Sequence, residues 1–152
     1  MRGGTENWLG IFAAGVAAQA AANPEAIAKF QVHTTRLRDR FEKGIQTAKI
    51  PATIWGAQVP RIGNTTRFTF DDFKSYENWV ELLDLRGFAV SHGSACKAQV
   101  IEPSRVLLKM GASREAALNS IRVSFGPESI DQDVDELVAQ LTELYQNKKN
   151  SP

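Results

Sequence analysis

Ile121, Val123 and Phe125 alternate with Arg122 and Ser124, the two-residue period of a strand with one apolar and one polar face. Such a strand is stable only with partner strands beside it and a layer over its apolar face. The chain offers both. Thr65 to Phe70 and Ala52 to Ala57 carry β-branched and aromatic residues and are bounded by Pro60, Gly63 and Asn64, so both read as strands. Phe88 to Ser91 reads as a further short, buried strand.

The covering layer is legible in the helical segments. Ile27, Phe30, Leu37, Phe41 and Ile45 recur at three-to-four spacing, with Asn23 as the cap and Pro24 in the first turn, which predicts a helix to about Gln46. Arg36, Arg38, Asp39, Arg40, Glu42 and Lys43 decorate its other side and read as a solvated face. Before it, Thr5 is a candidate cap for a helix from about Glu6 to Ala22, whose small residues predict a buried, close-packed element. Ser75 to Arg86 reads as a helix closed by Gly87, and Pro103 to Met110 and Ser113 to Asn119 as short helices split at Gly111. A terminal helix is predicted from Ser129 to about Asn147, with Ile130, Val134, Leu137, Leu141 and Leu144 as its seam. The fold class is therefore α+β, with helices packed on one face of a short, mostly antiparallel sheet. Residues 1–147 form the domain, including the leading helix, and residues 148–152 a polar tail.

Bulk properties narrow the function. Eighteen basic against seventeen acidic residues leave a net charge of +1, which gives no electrostatic footprint for nucleic acid or an anionic membrane. The uncharged, alanine-rich run from Trp8 to Asn23 imitates a secretory signal, but Glu6 and Gln19 interrupt the pattern. It is also too short and too weakly hydrophobic to span a bilayer. Cys96 is the single cysteine. It excludes a disulfide framework and a Cys-rich zinc site, no metal site is expected, and it fits a reducing cytoplasm.

Cys96 follows Gly93-Ser94-Ala95, a run with little side chain to pack, just past the Phe88 to Ser91 strand. A thiol there is either a reactive group or a small packing residue. Arg122 is either a two-pronged clamp for a carboxylate or the partner of an acid such as Glu102 or Asp84.

Four further blocks accompany the cysteine block: Arg2-Gly3-Gly4-Thr5-Glu6-Asn7, Ile101-Glu102-Pro103-Ser104-Arg105-Val106-Leu107, Lys109-Met110-Gly111 and Ser120-Ile121-Arg122-Val123-Ser124-Phe125-Gly126. In order and spacing, from Arg2 to about Leu144, the chain resembles the C-terminal part of a cysteine desulfurase, a class V, fold-type I enzyme dependent on pyridoxal phosphate (PLP). The resemblance implies the small domain of that fold. It implies that Cys96 takes sulfur from L-cysteine as a persulfide, leaving L-alanine, and hands it to a sulfur-acceptor protein for iron–sulfur cluster assembly or another sulfur-transfer pathway. It places Arg122 on the substrate's α-carboxylate, and Gly4 and Thr5 on the PLP phosphate across a homodimer interface. His92 is then a candidate for proton transfer, or simply an exposed strand-end residue, and it stands where the family more often has serine. Lys97 adds a positive charge beside the thiol. Asn64 and the segment Glu102-Pro103-Ser104 match structural positions, and His33 reads as a surface or packing residue.

The sequence departs from the family in two further respects. None of its lysines lies in the Ser-x-His-Lys context of the Schiff-base lysine, and Gly126-Pro127 replaces the usual glycine–arginine step. The expectation is a desulfurase section that needs an N-terminal PLP-binding half and holds no PLP stably alone. The alternative is a non-catalytic persulfide carrier or partner-docking domain, or a degenerate remnant.

Overall fold

A computed structural model describes residues 3–73, 78–92 and 102–150. Three strands, β1 (Ala52–Ile54), β2 (Thr65–Phe70) and β3 (Ile121–Ser124), form an antiparallel sheet in the order β1-β2-β3. β2 spans the residues its pattern predicts. β1 is shorter than expected, because the chain turns at Trp55-Gly56, where Gly56 takes the left-handed conformation at φ 75°. The expected strand from Phe88 to Ser91 shrinks to a single antiparallel bridge between Ser91 and Arg122.

The helices are α1 (Trp8–Ala21), α2 (Pro24–Thr47), α3 (Trp79–Asp84), α4 (Arg105–Lys109), α5 (Arg114–Leu118) and α6 (Asp131–Lys149). α2 begins as its sequence dictates: the Asn23 side chain accepts from the backbone N–H groups of Glu25 and Ala26 at 3.0 and 3.2 Å, and Pro24 follows it. Ser104 and Ser113 cap α4 and α5, and Gly111 between them sits at φ 91°. The first part of the helix expected from Ser75 lies outside the described residues, and Gly87 closes the rest at φ 85°.

α2 and α6 lie on the apolar face of the sheet. Leu37, Phe41 and Ile45 of α2, Phe68 and Phe70 of β2, Ile121 and Val123 of β3, and Val134, Leu137, Leu141, Leu144 and Tyr145 of α6 form one core. Ile130 stands outside that seam and is exposed. The α2 charges are not simply solvated: Arg36 and Arg40 reach Asp131 and Asp135 of α6, and Arg38 donates to the Ile62 carbonyl at 2.9 Å. Glu42 accepts both guanidinium prongs of Arg61 at 2.7 Å and the Thr66 hydroxyl at 2.6 Å. α5 covers part of the other sheet face, where the Thr69 hydroxyl donates to the Ala116 carbonyl at 3.1 Å. Helices thus pack on both faces rather than one: α5 buries Thr69 of the polar face and its own Ala117 against it.

α1 departs most from expectation. It starts at Trp8, capped by Asn7 rather than Thr5, and no residue in it is buried. Trp8, Leu9, Ile11, Phe12 and Val16 are more than half exposed. Its apolar surface is as the sequence predicts, and none of the described residues covers it. The start of α2 shares that position, and Ile27 is exposed as well. α6 runs on to Lys149, whose ammonium is 3.0 Å from Asp72, so its last turn is tied down.

Candidate functional site

Alternation sends Thr65, Arg67 and Thr69 of β2, with Arg122 and Ser124 of β3, to the sheet face opposite the core. Arg67 and Arg122 are Cα partners in the β2–β3 ladder. Their spacing follows from the hydrogen bonding. The Arg122 N–H donates to the Ser91 carbonyl at 2.8 Å, and its carbonyl accepts from the Ser91 N–H at 3.1 Å, so both backbone groups point away from β2. The Arg67 carbonyl accepts from the Trp55 N–H at 2.9 Å, on the β1 side. Arg67 and Arg122 therefore form a pair without mutual backbone hydrogen bonds, the kind whose Cα atoms lie only about 4.5 Å apart and whose side chains are closest.

Two guanidinium groups thus emerge side by side from one sheet face. Arg67 Nη1 donates to the Ser104 hydroxyl at 2.8 Å, and Nη2 to the His92 carbonyl at 3.3 Å. Burial, and then the neighbouring charge of Arg122, pull the Arg67 pKa below the ordinary arginine value. The Arg122 side chain is half-buried and makes no hydrogen bond or ion pair among the described residues. The sequence offered Glu102 or Asp84 as an acid partner, and neither pairs with it. Ser104 is buried and caps α4 while accepting from Arg67.

His92 lies beside this pair. Its side chain is 25% exposed and its Nε2 is 3.4 Å from Glu81 Oε2. It stands at the end of the bridged segment, half-buried rather than fully open to solvent. Cys96 and Lys97 lie outside the described residues. By position in the chain, His92 immediately precedes that stretch and Ser104 follows it closely, so Arg67 is bonded at both of its described flanks.

Gly4 and Thr5 are exposed and stand ahead of α1, whose packing neighbour is α2. A side chain built on Gly4 would meet nothing within 4 Å. The described residues alone do not cradle a phosphate there. Asn64 fills its structural position, its carbonyl accepting from the Phe125 N–H at 2.8 Å. His33 Nε2 donates to the Ser129 carbonyl at 2.9 Å, a packing role. Among the described residues no group of acidic, histidine or cysteine side chains has the makings of a metal site, and no helix is long and apolar enough to cross a membrane.

Sequence reasoning missed Arg67. The signal was present: it lies three residues past Asn64 and points outward on the predicted Thr65 to Phe70 strand. Only the strand register shows that it faces Arg122.

The family model described as aminotransferase class-V matches residues 1–137. A cysteine desulfurase of Gluconacetobacter diazotrophicus is 38% identical over 137 residues, covering 90% of this chain and 34% of the relative. The cysteine desulfurase IscS of Methanosarcina thermophila is 34% identical over 150 residues, covering 98% of this chain and 36% of the relative. Among solved structures, the NifS-like protein from Rickettsia africae superposes with a TM-score of 0.76 at 28% identity, covering 95% of this chain and 36% of that one. The chain spans about a third of the length of the curated relatives it matches.

Proposed function

Since the chain belongs to the aminotransferase class-V family, we propose that it is the C-terminal portion of a cysteine desulfurase. The observation that carries this reading is the 38% identity with a cysteine desulfurase across nine-tenths of the chain. In this reading Cys96 takes sulfur from L-cysteine as a persulfide, L-alanine is the other product, and the persulfide passes to a sulfur-acceptor protein in the cytoplasm. Residues 1–147 are the small domain with its leading helix. Arg122 holds the substrate carboxylate; a half-buried guanidinium without a described partner is suited to that task. His92, close to Glu81, is the candidate for moving a proton.

The family's cofactor is PLP, which supplies the electron sink for cleaving the substrate's bond to sulfur. Gly4 and Thr5 stand in the open here, so the described residues do not by themselves hold that group. The reading therefore includes a partner: an N-terminal PLP-binding half, a homodimer mate, or both. The exposed Trp8, Ile11, Phe12 and Val16 support it, as does a groove of about 950 Å³ where the end of α1 meets α2, lined in part by Ala20, Ile27, Phe30, Pro60 and Ile62. Apolar surface of this kind marks an interaction site. A second reading, a persulfide carrier or docking domain without catalysis, is favoured by one feature, the Gly126-Pro127 step in place of glycine–arginine.

The test mixes the purified chain with the N-terminal two-thirds of a related desulfurase and PLP, then follows L-alanine release from L-cysteine. Release that depends on both components and is lost in Cys96→Ala is expected. An equal rate with Cys96→Ala, or release from this chain alone, contradicts the reading.

A further inference from the structure

The polar face of the sheet holds an arrangement that stability does not explain. Like charges directly opposite in a ladder are unfavourable, and the closest type of pair makes them more so. Arg67 is itself partly buried, and burial together with the charge of Arg122 disfavours its charged form. Arg122, its neighbour, meets no acid among the described residues. Two fixed positive charges on a partly desolvated surface create a potential that an incoming anion relieves.

Arg67 is also the more rigidly held of the two. It is hydrogen-bonded to Ser104 at the start of α4 and to His92 beside β3, and its own strand is paired on both sides. Among the described residues Arg122 is fixed only at its backbone, through β2 and Ser91. One arginine is thus anchored and the other left available.

We propose that Arg67 is a positioning residue for Arg122: held by Ser104 and His92, its charge stands beside the Arg122 guanidinium and strengthens that group's hold on the carboxylate of a ligand. The proposal rests on the reading of Arg122 as the carboxylate binder and adds to it. Arg67 need not touch the ligand. It acts by its field, so a lysine substitutes for it and a neutral side chain of similar size does not.

Acetate is the probe, and the side-chain Nε–Hε resonance of Arg122 is the readout, in a titration of the whole chain. The wild type shows a saturable shift. Arg67→Gln is expected to weaken acetate binding about three- to tenfold at low salt, and to flatten its dependence on sodium chloride. Arg67→Lys, which keeps the charge but lacks the fork that reaches both acceptors, stays within about twofold of wild type. A purely structural role would not produce this split, nor the change in salt dependence. A folded Arg67→Gln chain with wild-type affinity and salt dependence overturns the proposal and leaves the Arg122 reading standing. Should Arg67→Gln not fold, Arg67→Lys decides: near-wild-type affinity supports the proposal, and a tenfold loss overturns it. No saturable shift of Arg122 in the wild type overturns the carboxylate reading, and this proposal with it.

Discussion

One face of the three-stranded sheet carries Thr66, Phe68, Phe70, Ile121 and Val123, all buried. The other carries Thr65, Arg67, Thr69, Arg122 and Ser124, on the same strands and at the intervening positions. On the first face each side chain has found a neighbour: Phe68 lies edge-on to Phe70, and Phe41 tilts against both Phe68 and Phe125. On the second, two arginines stand opposite each other, and one of them has no described partner. The difference separates the tasks. The apolar face makes the fold, and the polar face carries a local cost that the fold tolerates, as functional surfaces commonly do. The same division holds on a larger scale between α2, locked to α6 by Arg36 and Arg40, and α1, which buries nothing.

Substitutions can break or sharpen this comparison. The largest effect belongs to the apolar face. Phe68 is fully buried and central to the aromatic cluster, so Phe68→Ala should cost about 3–5 kcal/mol of stability in equilibrium urea unfolding. A loss below about 1 kcal/mol would mean that the cluster is not the core.

Next comes the polar link between that core and the 55–64 connection. Glu42 and Arg61 are largely covered, and the Glu42 hydrogen bond is the main cause raising the Arg61 pKa. Glu42→Gln leaves a half-buried guanidinium without its ion-pair mate and should cost roughly 2–3 kcal/mol. Unfolding midpoints of this variant and of the double variant with Arg61→Gln measure the coupling; additive effects would break the claim.

The smallest effect is acidic. Hydrogen bonds from Tyr145 and then Lys149 hold the Asp72 carboxyl below its ordinary range, and Arg40 does the same for Asp135. A carboxyl depressed in the folded state contributes stability fully above its unfolded value, near 3.9, and loses that contribution as pH falls through the lower folded value. Both groups are solvent-exposed, so the effect is small. Urea midpoints should fall with acidification below about pH 4, and less steeply in Asp135→Asn than in wild type. An unchanged slope would remove the α2–α6 clasp from the account.

What the sequence made legible follows from how local each signal is. β2 is bounded by Asn64 and its own alternation, and α2 by Asn23 and Pro24, so both were readable in place. The region from Phe88 to Val90 was not. Its apolar residues match a strand, yet only Ser91 meets a partner, and partner choice is not written into a short run. Composition shows that α1 is apolar but not what covers it. Of the candidate site, the polar position of Arg122 between apolar residues drew attention to it, but only the resemblance of the Ser120 to Gly126 block to the family put it on a carboxylate. Arg67 required the β2–β3 register, a pairing of residues far apart in the sequence.

The measurement that bears most directly on the division of tasks is the urea unfolding of Arg122→Gln. This change removes a like charge opposite Arg67 and breaks no described side-chain hydrogen bond. The account predicts a midpoint equal to the wild type's or higher. A loss of more than about 1 kcal/mol would show that Arg122 holds the fold together, and would contradict the proposal that it is kept for a ligand.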